Sequence, residues 1–225
     1  MPPDARESKF LATPEKGEVS ALLVRPEDAT HLLVLGHGAS TDMRHATLRA
    51  IAERLAEVGI ATFRYNFPYS ENGKGRDSQA VCKATVRSAV AEAHRAAPEL
   101  PLLAGGHSFG GRMTSTAASK SPIEVVRGLV FFSFPLHLAG KPETKRADHL
   151  ADVTVPMLFL SGTRDELANL DLLRPVCEKL GSRATLHLLD TADHGYKVLK
   201  KSRKSPEDVF AEMARVVRDW AAKLE

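Results

Sequence analysis

A mostly parallel α/β sheet with helices packed on both faces is the fold class this sequence predicts. Apolar runs of strand length, such as residues 32–35 and 129–132, alternate along the chain with segments whose apolar residues recur at helical spacing. Those runs are apolar throughout, as expected of strands covered on both sides. The 225 residues, 43% hydrophobic and 26% charged, suffice for one sizeable core, so a single domain over residues 1–225 is expected.

The elements follow in order. Residues 8–13 and 19–24 read as two short strands joined by Pro14-Glu15-Lys16-Gly17, an opening hairpin. Residues 31–35 form a buried strand ending in Gly36-His37-Gly38-Ala39. Leu48, Ile51, Ala52, Leu55 and Val58 then recur at helical spacing, and Gly59 stops that helix. A strand at 60–63, an Ala-rich helix at 78–97 ended by Pro98, and a strand at 101–104 come next. The second half continues with a helix at 109–118, strands at 126–134 and 157–160, a helix at about 170–180 and a strand at 184–189. Ser205-Pro206-Glu207-Asp208 reads as the start of the last helix, with Ser205 as N-cap. Val209, Phe210, Met213, Val216, Val217, Trp220 and Leu224 give that helix one apolar face.

Sites in such sheets lie at the carboxyl ends of the strands. The strand end at residue 104 leads into Gly106-His107-Ser108-Phe109-Gly110 and directly into a helix. A strand entering a helix through Gly-x-Ser-x-Gly makes a tight turn that lifts the serine oxygen clear of the backbone. Side chains at Gly106 and Gly110 would collide with the neighbouring strand and helix. With 15 glycines, chance alone yields such a pentapeptide in roughly one chain of this length in twenty, so the other strand ends must supply partners. They do. Asp165 follows the strand at 157–160, and His194 follows the strand ending at Leu189. Serine, acid and histidine on successive strand ends is a chain order for nucleophile, orienting carboxylate and general base. Glu166, Asp190 and Asp193 compete for the acid role, although the latter two stand very close to the histidine in sequence. The oxyanion donors expected are the backbone N–H groups of Phe109 and, from the Gly36-His37-Gly38-Ala39 loop, Ala39.

On these segments, together with Phe63-Arg64-Tyr65-Asn66-Phe67, Phe134-Pro135-Leu136-His137 and Gly162-Thr163-Arg164-Asp165, the chain resembles the α/β-hydrolase superfamily over about residues 10–224. More narrowly, it resembles small predicted serine hydrolases of the dienelactone-hydrolase-like branch. Eukaryotic relatives of that group occur as a testis-expressed protein and as a subunit of a histone-acetyltransferase complex. The resemblance implies the α/β-hydrolase fold and a Ser-Asp-His triad. Dienelactone hydrolases proper use cysteine where this chain has Ser108, and Glu166-Leu167-Ala168 replaces the Pro-Phe-Gly common after Gly-Thr-Arg-Asp.

The short polar segment at 137–150 cannot form a helical cap, so minimal or no lid is expected. The residues expected to line the open site are His37, Tyr65, Phe67, Phe134 and Leu136, with Tyr69 and Phe109 beside them. His37 and His107 otherwise serve structural roles; alternation points the His107 side chain away from Ser108. A net charge of +3 gives no argument for nucleic acid, and no apolar run is long enough for a membrane. The polar amino terminus lacks a signal-peptide core, and Cys82 and Cys177 read as free thiols, which together suggest the cytoplasm. No zinc spacing is present, and Asn72-Gly73-Lys74-Gly75 fails the phosphate-loop pattern and reads as a turn, so neither metal nor other cofactor is expected. The basic run from Lys197 to Lys204 reads as a solvated loop.

The expectation is therefore a cytoplasmic serine hydrolase, monomer or homodimer. It would cleave a small carboxylic ester or thioester through an acyl-enzyme. The alternative is a non-catalytic scaffold of the same fold that binds a protein partner, with a peptidase as a weaker option.

Overall fold

A computed structural model describes residues 5–73 and 75–224. Lys74 of the expected turn and the first four residues of the polar amino terminus lie outside the described residues. Eight strands form one sheet: β1 (Ala5–Thr13), β2 (Gly17–Val24), β3 (His31–Gly36), β4 (Ile60–Tyr65), β5 (Leu102–His107), β6 (Val126–Phe132), β7 (Met157–Gly162) and β8 (Ala184–Leu189). Their spatial order is β1-β2-β4-β3-β5-β6-β7-β8. The β1–β2 and β2–β4 pairs are antiparallel and the rest parallel.

Residue alternation sorts the core onto two faces. Leu33, Leu35, Leu103, Val130, Leu158 and Leu160 face the buried sides of α1 (Ala46–Ala56) and α6 (Val209–Ala221). Their strand neighbours, including Leu32, Val34, Ala104, Phe131 and Phe159, face α3 (Gln79–Ala96), α4 (Phe109–Lys120) and α5 (Leu170–Leu180). Burying one such leucine or phenylalanine contributes about 1.5–3 kcal/mol, and all of β3 to β7 takes part apart from Arg127 and the half-buried His31. That packing fixes where the strands end.

Several strands run two or three residues longer than expected, β1 from Ala5 and β5 to His107 among them, and three further differences bear on the architecture. A short helix, α2 (Pro68–Asn72), follows β4, with proline in its first turn and Gly73 in the left-handed conformation at its end. Strand β6 stops at Phe132 because Ser133 turns to φ 57°, ending the ladder. Helix α6 starts at Val209, with Asp208 rather than Ser205 as N-cap. The Asp208 carboxylate accepts from the Phe210 and Ala211 N–H groups, both at 3.1 Å, whereas Ser205 Oγ accepts only from Glu207. Between β6 and β7 the chain forms only a 3₁₀ segment, Lys145–Asp152, packed near α4, and no cap domain stands over the sheet among the described residues.

Neighbouring β3 and β5 are where the strand order reverses, since the chain leaves β3 toward β4 and returns to β5 on the other side. In open parallel sheets that reversal opens a crevice at the carboxyl edge. Gly36 and Gly106 are partners across it.

Candidate active site

Ser108 sits between β5 and α4 with φ 51° and ψ −113°. A non-glycine residue so placed is strained by about 1–3 kcal/mol, and the surroundings hold it there. Its N–H donates to the Phe132 carbonyl at 2.9 Å, and its own carbonyl accepts from Arg112 N at 3.1 Å. The turn is possible only because Gly106 and Gly110 lack side chains. A Cβ at Gly110 would overlap the Gly36 carbonyl and approach Gly36 Cα to 2.9 Å; one at Gly106 would stand 2.7 Å from Gly111 N.

His194 Nε2 lies 2.9 Å from Ser108 Oγ, and its Nδ1 lies 2.8 and 2.9 Å from the two Asp165 carboxylate oxygens. A carboxylate only accepts, so Nδ1 carries the proton and Nε2 is left as an acceptor for the serine hydroxyl. The Asp165 side chain is fully buried and its Oδ1 also accepts from Leu167 N at 2.8 Å. Glu166 is exposed, and the Asp193 carboxylate is occupied with the Gly195 and Lys197 N–H groups of its own loop. The Asp190 carboxylate accepts from Lys204 N at 2.8 Å, and Asp165 is the carboxylate that stands beside His194.

The two loops are tied to each other. Arg164 N donates to the Ala192 carbonyl at 2.9 Å, and Thr191 N donates to Thr163 Oγ1 at 2.8 Å. His107 donates from Nε2 to the His194 carbonyl at 3.0 Å, with the two imidazole ring centres 5.3 Å apart. Burial, and then the neighbouring His194, lower its pKa to about 4, so it is a neutral donor near pH 7.

The Gly36–Ala39 loop is held by His37. Its Nδ1 donates to the Gly38 carbonyl at 2.7 Å, and its Nε2 accepts from Phe67 N at 3.1 Å. Thr41 and the Tyr69 hydroxyl also donate to that carbonyl, at 3.2 and 3.4 Å. The peptide is planar and trans, so pinning the Gly38 carbonyl on one side aims the Ala39 N–H the opposite way. Phe109 is the first residue of α4, where an N–H has no acceptor within its own helix.

Burial corrects the expected lining. His37, Tyr65, Phe67 and Leu136 are 0% exposed and Phe134 is 2% exposed. Tyr69 and Phe109 are also buried. These side chains form the packed floor beneath the loops, and His37 closes a loop. Two groups outside the expected lining stand over Phe109: the Arg76 and Arg112 guanidinium carbons are 5.1 and 5.9 Å from the ring centre. Among the described residues, no group of three or more His, Cys, Asp or Glu side chains is placed to hold a metal ion, and no helix is long and apolar enough to cross a membrane.

Known proteins share this arrangement of elements. The dienelactone hydrolase from Anabaena variabilis matches with a TM-score of 0.77 at 18% identity, covering 100% of this chain and 99% of that one. A lidless a/b serine hydrolase from Xanthomonas campestris matches with a TM-score of 0.74 at 20% identity, covering 98% and 96% of the two chains. The esterase domain of a Rhodothermus marinus protein matches at 0.71 and 18% identity, over 97% and 98%. At these identities the likeness is one of fold. A family model described as the alpha/beta hydrolase domain matches residues 29–222, the whole span from β3 through α6. The chain belongs to the alpha/beta hydrolase family.

Proposed function

We propose that this chain, folded as one domain, is a serine hydrolase that cleaves a small carboxylic ester or thioester through an acyl-enzyme. The observation that carries the reading is the unbroken Asp165–His194–Ser108 relay, with contacts of 2.8 to 2.9 Å. In the first step Ser108 Oγ attacks the substrate carbonyl carbon while its proton passes to His194 Nε2. Asp165 holds the ring and stabilises the imidazolium. The carbonyl oxygen becomes an oxyanion, received by the Ala39 and Phe109 N–H groups, each worth on the order of 3 kcal/mol in the transition state. His194 then returns the proton to the leaving alcohol or thiol, and the carbon–heteroatom bond breaks. Water repeats the sequence on the acyl-serine, releasing the acid and restoring Ser108.

The lack of a cap favours small or exposed ester groups. The buried free thiols Cys82 and Cys177 fit a cytoplasmic site of action. Purified protein is expected to turn over activated short-chain esters, and His194→Ala is expected to abolish that turnover. A wild-type protein with no turnover on aryl esters, thioesters or lactones would leave the partner-binding scaffold as the better account.

A further inference from the structure

The groups around Phe109 point to a substrate class. The Phe109 ring is 5% exposed, and it meets Phe67 and Tyr69 edge-on, with ring centres 5.6 and 6.3 Å apart. Arg76, from the loop before α3, and Arg112, from the second turn of α4, stand over the same ring. Arg146, in the 3₁₀ segment after β6, is a third positive charge acting on Arg112, and it donates to the His137 carbonyl at 3.2 Å. Two separate segments thus bring guanidinium groups over one residue of the nucleophile turn, and a third charge acts on Arg112.

These charges lack counter-ions. Among the described residues, no carboxylate lies within ion-pairing distance of Arg76, Arg112 or Arg146, whereas Arg54, Arg95 and Arg215 are paired with Glu57, Glu92 and Glu207. The acid next in sequence to Arg76, Asp77, is taken by Lys16 at 2.7 Å. Burial first, and then Arg146 and Arg76, lower the pKa of Arg112. His149, on the same side, is lowered to about 4 by burial and by Arg112, and its Nε2 is 2.8 Å from Ser115 Oγ. A neutral imidazole cannot offset the cluster. Arg76 also forms part of the wall of a cleft of about 480 Å³ that adjoins Ala39, together with Thr41, Tyr69 and Asp42, whose carboxylate accepts from Arg44 N at 2.7 Å. Arg76 therefore borders both residues assigned as oxyanion donors.

We propose that the ester or thioester taken by this site carries an anionic oxygen group, and that Arg76 and Arg112 receive it. This rests on the hydrolase reading above and adds the charge of the substrate to it. A guanidinium fork suits carboxylate and phosphate oxygens alike, and a carboxylate is the probe chosen here. Repulsion among like charges in a partly buried setting is relieved when an anion arrives, which gives the fold a reason to leave the three unpaired.

Two matched substrate pairs test this at low ionic strength. In 4-nitrophenyl hexanoate against mono-4-nitrophenyl adipate the charge is on the acyl side. In methyl 4-acetoxybenzoate against 4-acetoxybenzoate it is on the alcohol side. Wild type is expected to favour the charged member of at least one pair by about tenfold in kcat/KM, mainly through KM, with the preference shrinking in 0.5 M salt. Arg76→Gln and Arg112→Gln should each pull that ratio toward one, and Arg174→Gln, on exposed α5 surface, should not. A ratio at or below one for both pairs, or a ratio untouched by both arginine variants, overturns the proposal. If wild type hydrolyses none of the four esters, the hydrolase reading is what has failed. Titration calorimetry with monomethyl adipate then reads the anion site alone: binding lost in Arg112→Gln supports it, and no binding to wild type overturns it.

Discussion

Replacing Asp165 by asparagine tests the relay at its least exposed member. The carboxylate makes three contacts that matter: 2.8 and 2.9 Å to His194 Nδ1, and 2.8 Å to Leu167 N. Asparagine has the same shape. Its carbonyl oxygen keeps the Leu167 N–H, which turns its NH₂ group toward Nδ1. The carbonyl oxygen still faces Nδ1, but the NH₂ group takes the position 2.9 Å from that nitrogen. There it repels an Nδ1 proton and favours the tautomer with the proton on Nε2. A protonated Nε2 cannot take the Ser108 proton, and no carboxylate remains to stabilise an imidazolium. In serine hydrolysis that change lowers kcat by about 10⁴, or about 5.5 kcal/mol of transition-state stabilisation. The assay is the initial rate on 4-nitrophenyl acetate, alongside circular dichroism to establish folding. Glu166→Gln is the control and should stay within about threefold of wild type, because that side chain is exposed. A folded Asp165→Asn protein with kcat within tenfold of wild type would refute the assignment.

Four further outcomes follow from the geometry. Gly110→Ala drives a methyl group into the Gly36 backbone, which is fixed in register between β4 and β5, and should cost about 3 kcal/mol, seen as a lowered urea midpoint. An unchanged midpoint would mean the turn can relax. His37→Leu removes the bonds that orient the Gly38–Ala39 peptide and should lower kcat about tenfold or more with KM little changed; an equal loss of Ser108 labelling and folding would show damage beyond the loop. Glu212→Ala leaves Arg203 and His187 without their shared carboxylate and should destabilise by about 3 kcal/mol in equilibrium unfolding, with a loss under 1 kcal/mol contradicting the pairing. Acid should also weaken the fold. His37 and His107 have pKa values lowered to about 4 by burial, against about 6.5 in an unfolded chain, so between those values the unfolded state binds more protons. Stability is complete above pH 6.5 and falls on acidification, by up to about 2.7 kcal/mol per pH unit for the two together; a flat profile from pH 7 to 4.5 would contradict the neutral assignments.

Much of this site is legible in the sequence because strand ends are. Apolar runs broken by glycine mark where β3, β5 and β7 stop, Asp190 ends the run of β8, and Ala39, Ser108, Asp165 and His194 follow those stops. What the sequence hid was side-chain direction. Phe67, Phe134 and Leu136 stand at strand ends as a substrate wall would, yet each turns down into the core. The role of His37 depends on a carbonyl and an N–H from other segments, Gly38 and Phe67, which spacing cannot reveal. Asp208 took the N-cap from Ser205 because its carboxylate satisfies two N–H groups, a three-residue shift that pattern alone could not resolve. The arginines over Phe109 come from positions 76 and 112, so only folding makes them neighbours.

The central claim is that Ser108 is an activated nucleophile, and the direct measurement is covalent capture. Native protein treated with a fluorophosphonate and digested should yield one modified peptide, with the adduct mass on Ser108. His194→Ala should label far more slowly, and Ser108→Ala should not label at all. Folded wild-type protein that stays unmodified, or Ser108→Ala protein that labels equally well, would contradict the account.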